Sequence, residues 1–295
     1  MIPFGKMQDA GNAPWDCLQR RNGIDYQIRN DVLALTASSR GAELQALYSR
    51  DKEDWGSLLW DGTPEIWPRR APVCFPWCGK MEDGWFQAEG RRWEASQHGF
   101  IRDMEHTCME QGADFLEFRL DWPGDESRWP WRFSFRTRHE LAGNAVLTTC
   151  TAENRDDWPM PVQLGFHPGL RCPFVPGQGR EAFQIRFQRP EAPGEQEIFP
   201  LEEHVFDHDS ICFSNLTSQW IQLEEKETGR YLRVDTGGFP FVLLWSKPGI
   251  PGFVCIEPWT GYPGPGHDLA ARPGAVVLQP GARLVRTQRI TVNLD

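Results

Sequence analysis

Alternation at period two is the feature that most narrows what this chain can fold into. Leu116, Phe118, Leu120 and Trp122 alternate with Glu117, Arg119 and Asp121, and Trp131, Phe133 and Phe135 alternate with Arg132, Ser134 and Arg136. Successive side chains of a strand point to opposite faces, so both runs read as half-buried strands, with WPGDES between them as a hairpin-like connection. Similar runs recur at 26–28, 32–35, 145–150, 183–187, 220–223, 231–234, 241–245, 253–257, 276–278 and 290–294. Helices have little room beside them. The 28 Gly and 24 Pro are scattered from Gly5 to Gly281 without a period, and inside a helix each Pro costs about 3 kcal/mol and each Gly about 1 kcal/mol. Only Ala42, Leu44, Leu47 and Tyr48 are spaced as in a helix, and that stretch is too short to decide. The expectation is an all-β protein, with too many strands for a small barrel and hence large antiparallel sheets packed face to face. No composition break, repeat or low-complexity linker interrupts the chain. One domain over 1–295 is expected, with 1–23 as an N-terminal extension.

Charge removes several classes of function. With 31 Lys+Arg against 41 Asp+Glu the net charge is −10, and the basic residues come as isolated pairs such as Arg69-Arg70 rather than as stripes. A nucleic-acid partner and a polybasic membrane contact are therefore not expected. There is no apolar run of about 18 residues, the length that a membrane helix needs, and MIPFGKMQDAGNAPWDC lacks the apolar centre of a secretion signal. This points to a cytoplasmic protein. The eight cysteines form no C-x-x-C pair and none sits beside a histidine in sequence, so reduced, buried thiols are expected. Walker and dinucleotide fingerprints are missing, as is G-x-S-x-G.

Three segments place ionisable groups inside apolar or Gly/Pro-rich sequence: QHGFIRD (97–103), LGFHPG (164–169) and FVCIEPW (253–259). Glu257 follows an apolar run and precedes Pro258, which suggests a strand end with buried flanks. A carboxylate there is either a desolvated base or a turn cap paired with an arginine. His98 and His167 could move a proton near neutral pH or simply hydrogen-bond in turns. Pro168 restricts His167 to extended backbone. HVFDHD (204–209) mimics a metal cluster, but further ligands in register are lacking, so no metal and no cofactor are expected.

Taken together and in order, these segments resemble the aldose 1-epimerase (galactose mutarotase) family, in particular cytoplasmic bacterial members related to lactose-operon products. WDGTPEIWPRRAPVCFPWCG (60–79) is similar to a family run with a Trp and a basic residue before PxxFPxxG. HGFIRD (98–103) matches HGFxRD, and GFHPGL (165–170) matches GxHP. FDHDSICFSN (206–215), GFPFVLLWSKP with FVCIEPWTG (238–261) and VVLQPGARL (276–284) resemble the remaining blocks. The resemblance implies a galactose mutarotase-like β-sandwich that interconverts the α and β anomers of a free hexose, acting as monomer or homodimer on a monosaccharide. It implies that His98 contacts the sugar near the ring oxygen, His167 is the general acid and Glu257 the general base, on opposite sides of the ring. Arg69 or Arg70, Arg102, and Asp209 or Asp207 would bind hydroxyls, and Trp67, Trp77 and Trp259 would floor the pocket. Gly169 stands where many members carry an aromatic, which suggests a wider pocket. Arg69, Arg70 and Lys80 also resemble the basic residues of relatives acting on hexose 6-phosphates, although Pro68 takes the place of their arginine. A non-catalytic carbohydrate binder on the same fold is a further reading.

Overall fold

The computed structural model describes residues 18–20, 23–125, 128–191 and 195–295. Part of the hairpin connection, Cys17 and most of the N-terminal extension thus lie outside the described residues. Nearly all regular structure is antiparallel strand. The largest sheet has nine strands in the order Gln196–Pro200, Phe183–Glu191, Trp220–Glu225, Tyr231–Asp235, Arg283–Asn293, Ala145–Asn154, Phe133–Ala142, Phe115–Trp122 and Thr107–Gln111. Its inner face carries the alternate apolar residues expected from the sequence: Leu116 and Phe118, Val146, Ile185, Leu223, Leu232 and Ile290 are all buried in one cluster. Its outer face carries their charged neighbours, with Arg136 opposite Arg119 and Ser134 opposite Asp121.

Two further sheets pack over that inner face. One has four strands, Leu18–Arg20, Gly23–Arg29, Leu33–Ser38 and Leu44–Ser49. The stretch with helix-like spacing is therefore a strand. A bulge explains the misleading period: Ala46 pairs with Thr36 but Leu44 with Ala37, so Gln45 is the extra residue and the alternation slips by one. The other sheet joins Ile211–Ser214, Phe241–Trp245, Gly252–Trp259, Gly165–Phe166 and Val73–Cys74, and Gly169–Cys172 pairs beside it with Gly252–Trp259.

This last sheet positions the site, and it does so through strands buried on both faces. Val242, Leu244, Val254 and Ile256 enter the main core. Their neighbours Leu243, Cys255, Glu257 and Trp259 are just as buried but face the other way. Pro258 does not end the strand, which runs on to Trp259. The Thr260 N–H bonds to the Leu164 carbonyl, so by alternation an N–H at Pro258 would point to the same side. There the ladder is interrupted between Gly165–Phe166 and Gly169–Cys172, and the missing donor leaves no ladder bond unmade. Among the described residues no helix is long and apolar enough to cross a membrane.

Candidate active site

His167 lies in that interruption. Its N–H donates to the Pro72 carbonyl and the Gly169 N–H to the Arg70 carbonyl, which hold the His-Pro-Gly link extended across the break. The imidazole consequently meets the pocket face of the next strand, where His167 Nε2 stands 3.2 Å from Glu257 Oε2. Both side chains are almost fully buried, at 8% and 2% exposure. They line a cavity of about 670 Å³ together with Trp67, Arg69, Lys80, Gln97, His98, Arg102, Asp209, Trp245, Trp259 and Tyr262.

Burial governs the charge of the pair. It pushes the Glu257 carboxyl well above the usual carboxylate range, helped by the acidic groups of Cys74 and Asp209. It also holds the His167 imidazole well below its ordinary value, helped by His98 and Arg102. Both shifts favour the uncharged forms, a carboxyl beside a neutral imidazole, with a contact between them along which a proton can pass.

His98 reaches the cavity from a tight turn. His98 and Gly99 both have positive φ, 64° and 72°, and a Cβ on Gly99 would fall 1.9 Å from the Phe75 carbonyl oxygen. Only glycine fits there. The Gly79 N–H donates to His98 Nδ1 at 3.1 Å, an arrangement that leaves Nε2 as the ring's donor. Cys74 Sγ lies 3.3 Å from the same Nδ1, a cysteine-histidine contact that sequence adjacency did not reveal. Burial raises the Cys74 thiol, but a hydrogen bond from Cys78 together with His98 and Arg102 outweighs it and brings the thiol well below its usual value. Cys78 is pushed well above its own.

The remaining residues divide sharply. Arg69 lines the cavity, bound to Asp103 and to the Arg102 carbonyl. Arg70 turns away, where its guanidinium donates to Gln45 and its backbone N–H to Glu43. Arg102 lines the cavity; its guanidinium donates to the Gln97 carbonyl, and its buried Nε makes no hydrogen bond but lies 4.0 Å from the Asp103 carboxylate. Asp209 faces the cavity from a backbone with φ of 86°, whereas Asp207 pairs at the surface with His204. Trp67 lies tilted against His167 with ring centroids 5.0 Å apart, and Trp259 meets His98 edge-on at 5.4 Å.

Trp77 is not part of this wall. It is fully buried in a second apolar cluster with Phe86 and Trp129, and its indole N–H donates to the Ser96 carbonyl. Alternation explains this: Cys74 and Cys78 face the site side, and Phe75 and Trp77 the opposite core. Gly169 does not widen the pocket either, because Trp67 fills the room: a Cβ there would meet its ring at 2.7 Å. Of the residues the sequence left unassigned, Trp245 lies edge-on to both Trp67 and His167. Its signal was the alternation of Phe241–Trp245, which puts it on the face of Leu243.

Residues 25–291 match the aldose 1-epimerase family. The chain belongs to that family. The LacX protein of Lactococcus lactis is 27% identical over 267 residues, covering 81% of this chain and 88% of that one. A galactose mutarotase related enzyme from Lactobacillus acidophilus superimposes with a TM-score of 0.82 at 26% identity, over 92% of this chain and 97% of its own. A galactose mutarotase-like protein from Lactobacillus casei shares the fold at the same TM-score and 22% identity, over 91% and 100%. For this aldose 1-epimerase family member, the matched region includes every cavity residue named above.

Proposed function

We propose that the protein is a mutarotase that interconverts the anomers of a free aldose, with Glu257 and His167 as its proton-transfer pair. The carrying observation is their 3.2 Å contact in the wall of a cavity lined by polar and aromatic side chains. Ring opening takes a proton from the C1 hydroxyl and gives one to the ring oxygen. Those two oxygens are bonded to the same carbon, so acid and base belong side by side, and not on opposite sides of the ring as the sequence reading has it.

The steps balance on one proton. Moving it from Glu257 to His167 along their contact makes a carboxylate and an imidazolium. The carboxylate takes the C1 hydroxyl proton as the imidazolium protonates the departing ring oxygen. The open-chain aldehyde rotates about C1–C2. Glu257 then returns its proton to the carbonyl oxygen while His167 takes the C5 hydroxyl proton, and that oxygen closes on the other face. Each transfer contributes roughly 10²–10⁴-fold. His98 Nε2, Arg69, Arg102 and Asp209 bind hydroxyls, and Trp67 and Trp259 cover the ring faces. Saturation-transfer NMR across free and phosphorylated aldoses tests the reading: anomer exchange accelerated by the protein is expected, and binding without it would indicate a carbohydrate binder.

A second reading, a hexose 6-phosphate epimerase, draws on Arg69, Lys80 and Arg102 in the cavity wall. Against it, Arg69 is already paired with Asp103 and the wall also carries Asp209.

A further inference from the structure

The thiol of Cys255 takes no part in the ring opening, yet it shares a buried cluster with the pair. Its sulfur, a His167 ring nitrogen and a Glu257 carboxylate oxygen all lie within 4.8 Å of one another, the one such group of three among the described residues. The fold brings them together in two ways. Cys255 and Glu257 are two apart in a single strand and share a face. Cys255 is also the ladder partner of Gly169, two residues beyond His167.

We propose that a soft divalent cation of the zinc type binds at His167, Cys255 and Glu257 and, by capturing the proton-transfer pair, shuts the cavity to sugar. A thiolate, an imidazole and a carboxylate form a donor set that suits zinc. Magnesium and calcium require six or more oxygen ligands and find one carboxylate here. The spacing of the nitrogen and oxygen ligands suits zinc as well. Bonds of roughly 2.0–2.2 Å at tetrahedral angles put nitrogen and oxygen ligands about 3.3–3.5 Å apart, and His167 Nε2 and Glu257 Oε2 are separated by 3.2 Å. Three protein ligands leave the fourth position for water.

Charge balances on binding. The Cys255 thiol proton and the one proton of the pair leave to solvent as the dication enters, so a buried neutral site stays neutral. That zinc inhibits rests on the mutarotase reading; that it binds does not.

The test uses zinc as inhibitor and cobalt(II) as optical probe on the full chain. Cobalt should produce a near-ultraviolet sulfur-to-metal charge-transfer band, and zinc should inhibit anomer exchange in competition with sugar. Cys255→Ser and Cys255→Ala should both lose the band and keep basal anomer exchange, which also reports that they fold. Even outer partners of a metal ligand are worth roughly 10–100-fold in affinity, so losing the thiolate should raise the half-inhibitory zinc concentration about 100-fold. Cys212 is an exposed thiol, so Cys212→Ser serves as control. A band absent from the wild-type chain, or kept in both Cys255 variants, or lost only in Cys212→Ser, overturns the site. If the band depends on Cys255 but no aldose shows anomer exchange, the mutarotase reading fails and the metal site stands. Inhibition by zinc that is unchanged in both Cys255 variants overturns the capture mechanism.

Discussion

Glu257 sits in a strand and His167 in the link that interrupts the neighbouring ladder, and that is why they touch. Glu257 is opposite Leu243 on one side, and on the other the ladder resumes only at Gly165–Trp259 and Gly169–Cys255. The gap between those pairs is where His167 turns its imidazole onto the carboxyl. Proton transfer needs this contact and little else from the backbone, so the consequences concentrate on these two side chains.

Glu257→Gln should abolish anomer exchange and leave sugar binding largely intact, because the amide keeps the shape but cannot take a proton. His167→Asn should behave alike. A loss of at least about 10²-fold in turnover is expected for each, measured by polarimetry after chelator treatment. The two act in one proton cycle, so the double variant should be little slower than either single one. A folded Glu257→Gln chain with near-normal turnover removes Glu257 from the mechanism.

The pH profile should reflect the one-proton pair. The pair gains a second proton only below the depressed His167 value and loses its only proton above the raised Glu257 value. Hence kcat/KM should pass through pH 6.5 without falling on the acid side, and no rise should be seen near the ordinary carboxylate value of 4.5. An acid limb centred on 6.5 would mean a solvated histidine.

Glucose 6-phosphate should not be strongly preferred to glucose. The net charge of −10 opposes a dianion at long range, and Arg69 is held by Asp103. Competition kinetics that favoured the phosphate by about two orders of magnitude, roughly 2.7 kcal/mol in the transition state, would instead support the second reading.

Gly169→Ala should disturb the site from behind. The new methyl meets Trp67 at 2.7 Å and must push it off His167. Overpacking of this kind costs about 1–3 kcal/mol, readable by urea unfolding, and KM for sugar should rise with it. Unchanged stability and KM would show that Trp67 yields freely.

Acid should destabilise the fold through histidines far from chemistry. His139 bonds to the Ala42 carbonyl and Thr148, and His106 to the Ile101 carbonyl; burial pushes each down to about 4. Below pH 6.5 the unfolded chain takes up protons that the folded chain refuses, so stability falls as pH drops from 6.5 towards 4. The loss should reach up to about 3 kcal/mol for each histidine. His139→Gln, followed by urea titrations at several pH values, should flatten that dependence.

Much of the fold was legible in the sequence because an exposed sheet face records itself as alternation. Phe115–Trp122 and Phe133–Ala142 bury one face and expose more of the other, so two neighbouring strands joined by a hairpin could be anticipated, although the second begins at Phe133 and not at Trp131. His98, His167 and Glu257 stood out because ionisable groups amid apolar or glycine-rich residues are costly without a purpose. Where both faces of a strand are buried, alternation names two sides but not what each side meets. Only packing decided that Trp77 enters the core while Trp245 joins the cavity, that Arg69 and Asp209 face inward while Arg70 and Asp207 do not, and that Cys74 and Cys255 lie against the histidines. Those contacts join residues far apart in the chain across a break in a ladder, and no local pattern carries that information.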